Sequence, residues 1–221
     1  MMATTEYSAA RLNMVEGQIR PNKVTDQRVV DAFLAVPRDQ FVPEGLRGVA
    51  YVDKSIPVTR SRYLLEPMVL ARLLNDAKVE STDIVLDVGT GTGYSAAVIG
   101  RLAATVVALE SDSELAAFAN QAMQTQGVDN AAVMHGPLNA GWAKQAPYNV
   151  IIVQGAVAAV PPALLDQLAE GGRLLAVILP ESGQGTARLY LKTGGQVSSR
   201  ILFDASAALL PGFEAKADFQ F

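Results

Sequence analysis

The sequence predicts a doubly wound α/β fold, and two observations carry that prediction. From Asp83 onward, short apolar runs alternate with stretches of helical spacing, as expected of parallel strands that helices cover on both faces. The first run leads into a glycine-rich turn that opens a helix, where sheets of this class bind ligands. We assign residues 81–221 to this core and residues 1–80 to a helical and loop extension.

The predicted core consists of five buried strands with helices between them. The strands, in chain order, are Ile84–Val88, Val106–Leu109, Ala131–Met134, Val150–Val153 and Leu174–Leu179. The intervening helices are Tyr94–Leu102, Ser113–Gln126 and Pro162–Ala169. Such an alternating series forms a parallel sheet. An antiparallel closing section is expected at Arg188–Lys192, Gln196–Phe203 and Phe213–Phe221, which Gly and Pro pairs separate.

The N-terminal extension is expected to contain two helices. Apolar residues recur at helical spacing from Val29 to Val36, with Thr25 as the N-cap. A second helix is predicted over Pro67–Asn75, because proline suits the first turn. The segment Phe41–Thr59 is rich in Pro and Gly and is expected to form loops with one short strand.

The composition excludes several kinds of chemistry. Half of the 221 residues are hydrophobic and 18% are charged, which suits a chain with a sizeable core. There is no cysteine and a single histidine, His135, so thiolate nucleophiles are excluded and no metal centre is predicted. A Ser-His-Asp hydrolase would need His135 as its base. The remaining resources are carboxylates, hydroxyls, backbone amides and a borrowed cofactor.

Charge and hydropathy limit the partners. A net charge of −4 argues against a general nucleic-acid binder. No basic segment followed by an apolar run is visible at the start, and no apolar stretch is long enough to cross a bilayer. We therefore expect a cytoplasmic location and no membrane partner. Lys54, Arg60 and Arg62 form a short basic patch that is either an ordinary solvated loop or a surface facing an anionic substrate.

The sharpest local signal is the segment Asp87–Gly93, in which Gly89, Gly91 and Gly93 form a G-x-G-x-G turn. A dinucleotide fingerprint would place its third glycine at Tyr94, and no Lys-Ser/Thr pair follows to form a P-loop. Glu110 ends the next predicted strand, where a carboxylate can accept both hydroxyls of a ribose. This arrangement is typical of S-adenosylmethionine sites. The expected contacts of that cofactor are Asp87, Gly89, Thr90, Gly91, Gly93, Glu110, Ser111 and Gly136.

A plainer interpretation of the same residues stays open. The glycines would form only a tight turn, and Glu110 would only cap the following helix from Ser111 or Asp112. That interpretation does not explain why three glycines are needed.

The flanking motifs are similar to those of the protein-L-isoaspartate O-methyltransferase family. They occur in the family's order from about residue 12 to the tail, and include Met14-Val15, Val36-Pro37-Arg38, Phe41-Val42-Pro43, Ile56-Pro57, Gly141-Trp142 and Gly171-Gly172-Arg173. The resemblance implies a Rossmann-like methyltransferase sheet. It also implies S-adenosylmethionine as cofactor, and isoaspartyl residues of damaged proteins or peptides as partners, methylated on their α-carboxylate.

The chain departs from the family in its substrate loop. The family sequence there is approximately Gly-Gln-Thr-Ile-Ser-Gln-Pro, and the alignment on Pro67 puts Leu65 at the position of the active-site serine. Tyr63 replaces the threonine and Arg62 replaces the glutamine. Leucine offers no hydrogen-bond donor to a carboxylate. Tyr63 and Arg62 are the residues that we expect to contact the acceptor.

A second departure follows Gly136, where the family has Gly-Asp-Gly with the aspartate near the adenine amino group. Pro137 cannot replace that acceptor, so the side chain of Asn139 and the carbonyl of His135 are the alternatives. Three functions stay open: an isoaspartyl methyltransferase, a methyltransferase for another acceptor that Arg62 or Tyr63 recognises, and a binding module without transfer activity. The sequence carries no signal for the oligomeric state.

Overall fold

A computed structural model describes residues 4–181 and 183–214. Its centre is a seven-stranded sheet with the strand order β5-β4-β3-β6-β7-β8-β9. The strands are β3 (Ile84–Val88), β4 (Thr105–Glu110), β5 (Ala131–His135), β6 (Tyr148–Val157), β7 (Leu168–Ile178), β8 (Thr186–Thr193) and β9 (Gln196–Asp204). The core helices are α4 (Tyr94–Gly100), α5 (Ser113–Thr125) and α6 (Pro162–Asp166).

The sheet confirms the predicted fold class. Strands β3 to β7 are parallel, and β8 and β9 add an antiparallel edge. Neighbouring residues of β3 face opposite sides, with Val85 in one hydrophobic cluster and Leu86 in the other. Because both faces are covered at the centre of the sheet, β3, β4 and β6 are apolar along most of their length, which is the pattern that made them visible in the sequence.

The N-terminal extension contains helices α1 (Thr4–Met14), α2 (Gln27–Ala35) and α3 (Pro67–Ala77), with a π-helical turn at Val15–Ile19 after α1. Their buried residues belong to the same hydrophobic cluster as one face of the sheet. No helix in the described ranges is long and apolar enough to cross a membrane.

The predicted N-cap of α2 is wrong by one residue. Asp26 caps the helix, and its side chain accepts a hydrogen bond from the backbone N–H of Arg28 at 3.0 Å. The backbone N–H groups of Thr25 and Asp26 both donate to the side-chain oxygen of Asn75, on α3. This long-range contact fixes the turn one residue later than the local pattern indicates.

The segment predicted as loops contains more structure than expected. Two short 3₁₀ helices, Arg38–Phe41 and Glu44–Val49, precede the one predicted strand, β1 (Ile56–Pro57). That strand pairs with β2 (Tyr63–Leu64), so the substrate loop is a hairpin. The backbone carbonyl of Arg62 accepts hydrogen bonds from the N–H groups of Val58 and Thr59 and closes its turn.

After β9, the chain returns across the carboxyl end of the sheet. Leu210 donates its backbone N–H to the carbonyl of Ala156 in β6 at 2.9 Å, and its side chain is buried. Phe213 is buried but lies in no strand, so the prediction of a strand from Phe213 is wrong at that residue. The rest of that predicted strand, from residue 215, lies outside the described residues. The helix predicted over Pro162–Ala169 ends earlier, at Asp166, because Leu168 begins β7.

Candidate active site

The glycine turn between β3 and α4 lets other atoms approach its backbone closely. Gly89, Gly91 and Gly93 have φ angles of 81°, 59° and 89°, in the left-handed region that glycine adopts freely. A side chain on Gly93 would lie 3.1 Å from the Cβ of Ala119, so this glycine allows α5 to pack. A side chain on Gly91 would meet no atom within 4 Å. There is therefore room for at least one more carbon atom beside Gly91.

Glu110 lies at the end of β4, fully buried against this turn. One carboxylate oxygen, Oε2, accepts the backbone N–H of Gly91 at 2.8 Å. The other, Oε1, accepts the N–H groups of Ser111 at 2.8 Å and Asp112 at 3.0 Å. The N-cap of α5 is Asp112, which accepts from Glu114 and Leu115. Glu110 therefore accepts from the residues that open α5, as the plainer interpretation expects, and its carboxylate also joins the glycine turn to the end of β4.

Asp87, the acidic residue before the glycines, is held by two side chains. Ser95 donates its hydroxyl to Asp87 at 2.6 Å, and Gln154 donates its amide at 2.7 Å. Burial raises the pKa of the Asp87 carboxyl to about 6, although these hydrogen bonds oppose the shift. Sequence reasoning missed Gln154, although it directly follows Val153, where the predicted strand and the pairing with β3 both end.

Arg62 occupies an unexpected position. Its side chain is 2% exposed, and Nη1 donates to Oε1 of Glu110 at 2.8 Å. Nη2 donates to the carbonyl oxygen of Gly89, also at 2.8 Å. The expectation that Arg62 faces the acceptor is not met in this conformation, because its guanidinium lies on the carboxylate and glycine turn predicted for the cofactor.

The other two predicted residues of the substrate loop, Leu65 and Tyr63, differ in their exposure. Leu65 is buried, whereas Tyr63 is 37% exposed at the surface. Both line a small cavity together with Gly91, Gln154 and Arg38. Its volume of about 10 Å³ is barely enough to hold one water molecule. In this conformation the cavity is too small for a nucleoside.

Arg38, the last residue of the motif Val36-Pro37-Arg38, is fully buried beside this cavity. Its Nε donates to the carbonyl of Ala50 at 2.8 Å, and Nη2 donates to the carbonyl of Leu65 at 2.7 Å. Nη1 is buried without a hydrogen-bond partner. Within the described ranges no carboxylate forms an ion pair with Arg38. The guanidinium instead lies 4.8 Å from the ring centroid of Tyr94.

The predicted adenine side of the site lies at the end of β5. Gly136 donates its N–H to the backbone carbonyl of Glu110 at 3.0 Å. The ring of His135 lies 3.1 Å from the carbonyl of Ser111, which supports a structural role. Asn139 donates its side-chain amide to the carbonyl of Gly212 at 3.1 Å. Its N–H group is thus committed to the C-terminal segment. Among the described residues, no cluster of three or more His, Cys, Asp or Glu could hold a metal ion.

The polar groups at the glycine turn fit a nucleoside with free ribose hydroxyls, but side chains of this protein lie against Gly89 in that turn. Glu110 supplies a buried carboxylate, and the glycine turn supplies close backbone approach. A Cβ on Gly89 would lie 3.1 Å from Nη2 of Arg62 and 3.3 Å from Leu210. These two side chains therefore pack against the turn at Gly89 and leave little room there in this conformation.

The fold is that of a Rossmann-like methyltransferase. The family profile described as Protein-L-isoaspartate(D-aspartate) O-methyltransferase (PCMT) matches residues 10–206. The chain belongs to this family. A relative from Koribacter versatilis, named protein-L-isoaspartate O-methyltransferase, is 38% identical over 210 residues, covering 94% of this chain and 93% of its own. A relative of the same name from Methanoculleus marisnigri is 37% identical over 184 residues, covering 83% and 84%.

Solved structures agree with this assignment. A structure named protein-L-isoaspartate O-methyltransferase superposes with a TM-score of 0.80 at 26% identity, covering 91% of this chain and 66% of that chain. A Plasmodium falciparum protein, described as a candidate enzyme of this name in complex with S-adenosyl-L-homocysteine, gives a TM-score of 0.78 at 20% identity. It covers 92% of this chain and 97% of its own, and it shows the shared fold.

Proposed function

We propose that this chain is an S-adenosylmethionine-dependent O-methyltransferase that methylates the α-carboxylate of isoaspartyl residues in proteins. The observation that carries the proposal is the buried Glu110 carboxylate, which the N–H of Gly91 holds against the glycine turn in a chain of this family. The proposed acceptor follows from family membership alone. The cofactor assignment follows from family membership and from the position of Glu110 on the glycine turn.

The cofactor would be held by residues at the carboxyl ends of β3, β4 and β5. Glu110 would accept the ribose hydroxyls, and the turn from Gly89 to Gly93 would allow close backbone approach. Asp87, Thr90, Ser111 and Gly136 complete the set. Asp87 bonds to Ser95 and Gln154, so it shapes the turn from beneath rather than presenting a free carboxylate.

The chemistry suits a chain with one histidine and no cysteine. When bound, the cofactor supplies an electrophilic methyl group on its sulfonium. An ionised carboxylate is already a competent nucleophile, so the protein needs no general base. Its task is to align the carboxylate with the methyl group, and such alignment can lower the activation barrier by roughly 7–11 kcal/mol in well-oriented systems. Aligned groups in a site closed to water suffice for the transfer.

The missing serine at Leu65 raises the question of what binds the acceptor. Arg38 supports an anionic acceptor, because its buried guanidinium donates to the carbonyl of Leu65 and keeps Nη1 unpaired. A buried cation without a charged partner is costly, and a carboxylate would offset that cost. Tyr63, on the exposed side of the same cavity, would contact the rest of the acceptor.

A second candidate function is methyl transfer to a different carboxylate. The observation that favours it is the burial of Leu65, which gives an apolar surface where the family has a hydroxyl. An acceptor without the isoaspartyl backbone would suit that surface.

A transfer assay tests the proposal. Purified protein with labelled S-adenosylmethionine is expected to methylate an isoaspartyl peptide and to leave the same peptide with ordinary aspartate unlabelled. The ester should be labile to base, as carboxyl methyl esters are. Binding of S-adenosylhomocysteine without transfer to the isoaspartyl peptide would contradict the proposed acceptor and favour the second candidate. Absence of binding as well as transfer would contradict the cofactor assignment.

A further inference from the structure

We propose that Arg62 is an internal competitor for the cofactor site and sets the affinity of this enzyme for S-adenosylmethionine. The inference rests on the proposed function. Its basis is the Arg62–Glu110 pair: a guanidinium from the β1–β2 hairpin that lies on the carboxylate assigned to the ribose. A residue of the substrate loop thereby controls a residue of the cofactor site, 48 positions along the chain.

The position of the guanidinium is that of a ligand rather than of an ordinary surface arginine. It bonds both to Glu110 and to the backbone carbonyl of Gly89, the two elements that define the cofactor site. Nη2 would lie 3.1 Å from a Cβ on Gly89, in the space that the glycine leaves free. Both side chains of the pair are almost completely buried, at 2% and 0% exposure, so salt screens the pair weakly.

The pair can separate by movement of Arg62 alone, while Glu110 stays in place. Nε of Arg62 is buried without a hydrogen-bond partner, so the arginine is incompletely satisfied in the closed position. Glu110, by contrast, keeps the backbone N–H groups of Gly91, Ser111 and Asp112 when the guanidinium leaves. The carboxylate therefore stays in place for the ribose. Arg62 lies in the turn of a two-stranded hairpin outside the seven-stranded sheet, so its side chain can leave Glu110 while Ile56 and Leu64 stay in the core.

The family has glutamine at the position of Arg62, so the expected effect on cofactor affinity is specific to this chain. Glutamine is neutral and cannot form an ion pair with Glu110, so an enzyme with glutamine there lacks this competition. The observed dissociation constant equals the intrinsic one divided by the fraction of molecules whose site is open. A site that is open in about one molecule in ten therefore binds about tenfold more weakly. Binding of the cofactor would release Arg62, whose cation would then be free for an anionic acceptor.

The test is a calorimetric titration of S-adenosylhomocysteine into the wild type and three single variants. Arg62→Gln is expected to bind at least tenfold more tightly than the wild type. Arg62→Lys, whose compact ammonium reaches fewer acceptors, should fall between them. The matched control is Arg60→Gln, which removes the same charge from an exposed position of the same hairpin turn and should leave the affinity unchanged.

The outcomes separate this inference from the proposed function. Equal or weaker binding by Arg62→Gln, with a wild type that binds well, would overturn the competition and leave the cofactor assignment standing. Failure of the wild type and of every folded variant to bind would overturn both. Circular dichroism verifies folding, and Arg62→Lys keeps the comparison available if Arg62→Gln does not fold.

Discussion

Replacing Glu110 with glutamine is expected to weaken the binding of S-adenosylhomocysteine by about 10- to 150-fold. Hydrogen bonds to a charged group contribute about 1.5–3 kcal/mol each, and the amide keeps the shape of the carboxylate without its charge. The loss is read by calorimetry in the Arg62→Gln background. In the wild-type background, the same change also releases Arg62, so the two effects partly cancel.

The matched control is Glu114→Gln, an exposed acid in the first turn of α5 whose backbone N–H donates to Asp112. Its affinity should equal that of its parent. In the protein that keeps Arg62, Glu110→Gln should also lower the free energy of unfolding, because the buried arginine loses its charged partner. Breaking such a pair costs about 3–5 kcal/mol. Unchanged affinity in a folded Glu110→Gln protein would show that the ribose lies elsewhere.

Replacing Asp87 with asparagine is expected to stabilise the protein progressively as the pH rises. Burial raises the pKa of Asp87 in the folded state to about 6, from a reference value of 3.8. The folded protein therefore favours the neutral acid, and the stability that this gives is lost as the pH rises from 4 through 6. At one pKa unit per 1.36 kcal/mol, ionisation at neutral pH costs roughly 3 kcal/mol, which asparagine avoids.

Urea denaturation at pH 4 and at pH 7.5 measures this effect. The free energy of unfolding of Asp87→Asn minus that of the wild type should increase by roughly 2–3 kcal/mol between the two values. Rearranged hydrogen bonds to Ser95 and Gln154 add a contribution independent of pH, so the change with pH is the readout. Asp129→Asn, at an exposed position, controls for the altered net charge. A difference that stays constant with pH would contradict the shifted pKa.

The sheet was predictable because its signals are local. The central parallel strands β3, β4 and β6 are buried on both faces and therefore appear as apolar runs, and the glycines identify the turn after β3. Glu110 was predictable for the same reason, since it ends a strand next to that turn.

The contacts that close the site were not predictable from local pattern. The Arg62–Glu110 pair joins a hairpin to a distant strand, and Leu210 reaches the glycine turn from the C-terminal segment. Arg38 was visible as a motif residue, but only packing shows that it is buried and lacks a charged partner. The N-cap at Asp26 was missed because Asn75, far along the chain, holds the turn. In each case a tertiary contact decides the position of a polar group.

The most direct test of the account is a crystal structure of the wild-type protein with S-adenosylhomocysteine. The account predicts the ribose hydroxyls hydrogen-bonded to Glu110, the nucleoside against the turn from Gly89 to Gly93, and the Arg62 guanidinium displaced from both. A bound ligand away from Glu110, with Arg62 still on the carboxylate, would contradict it.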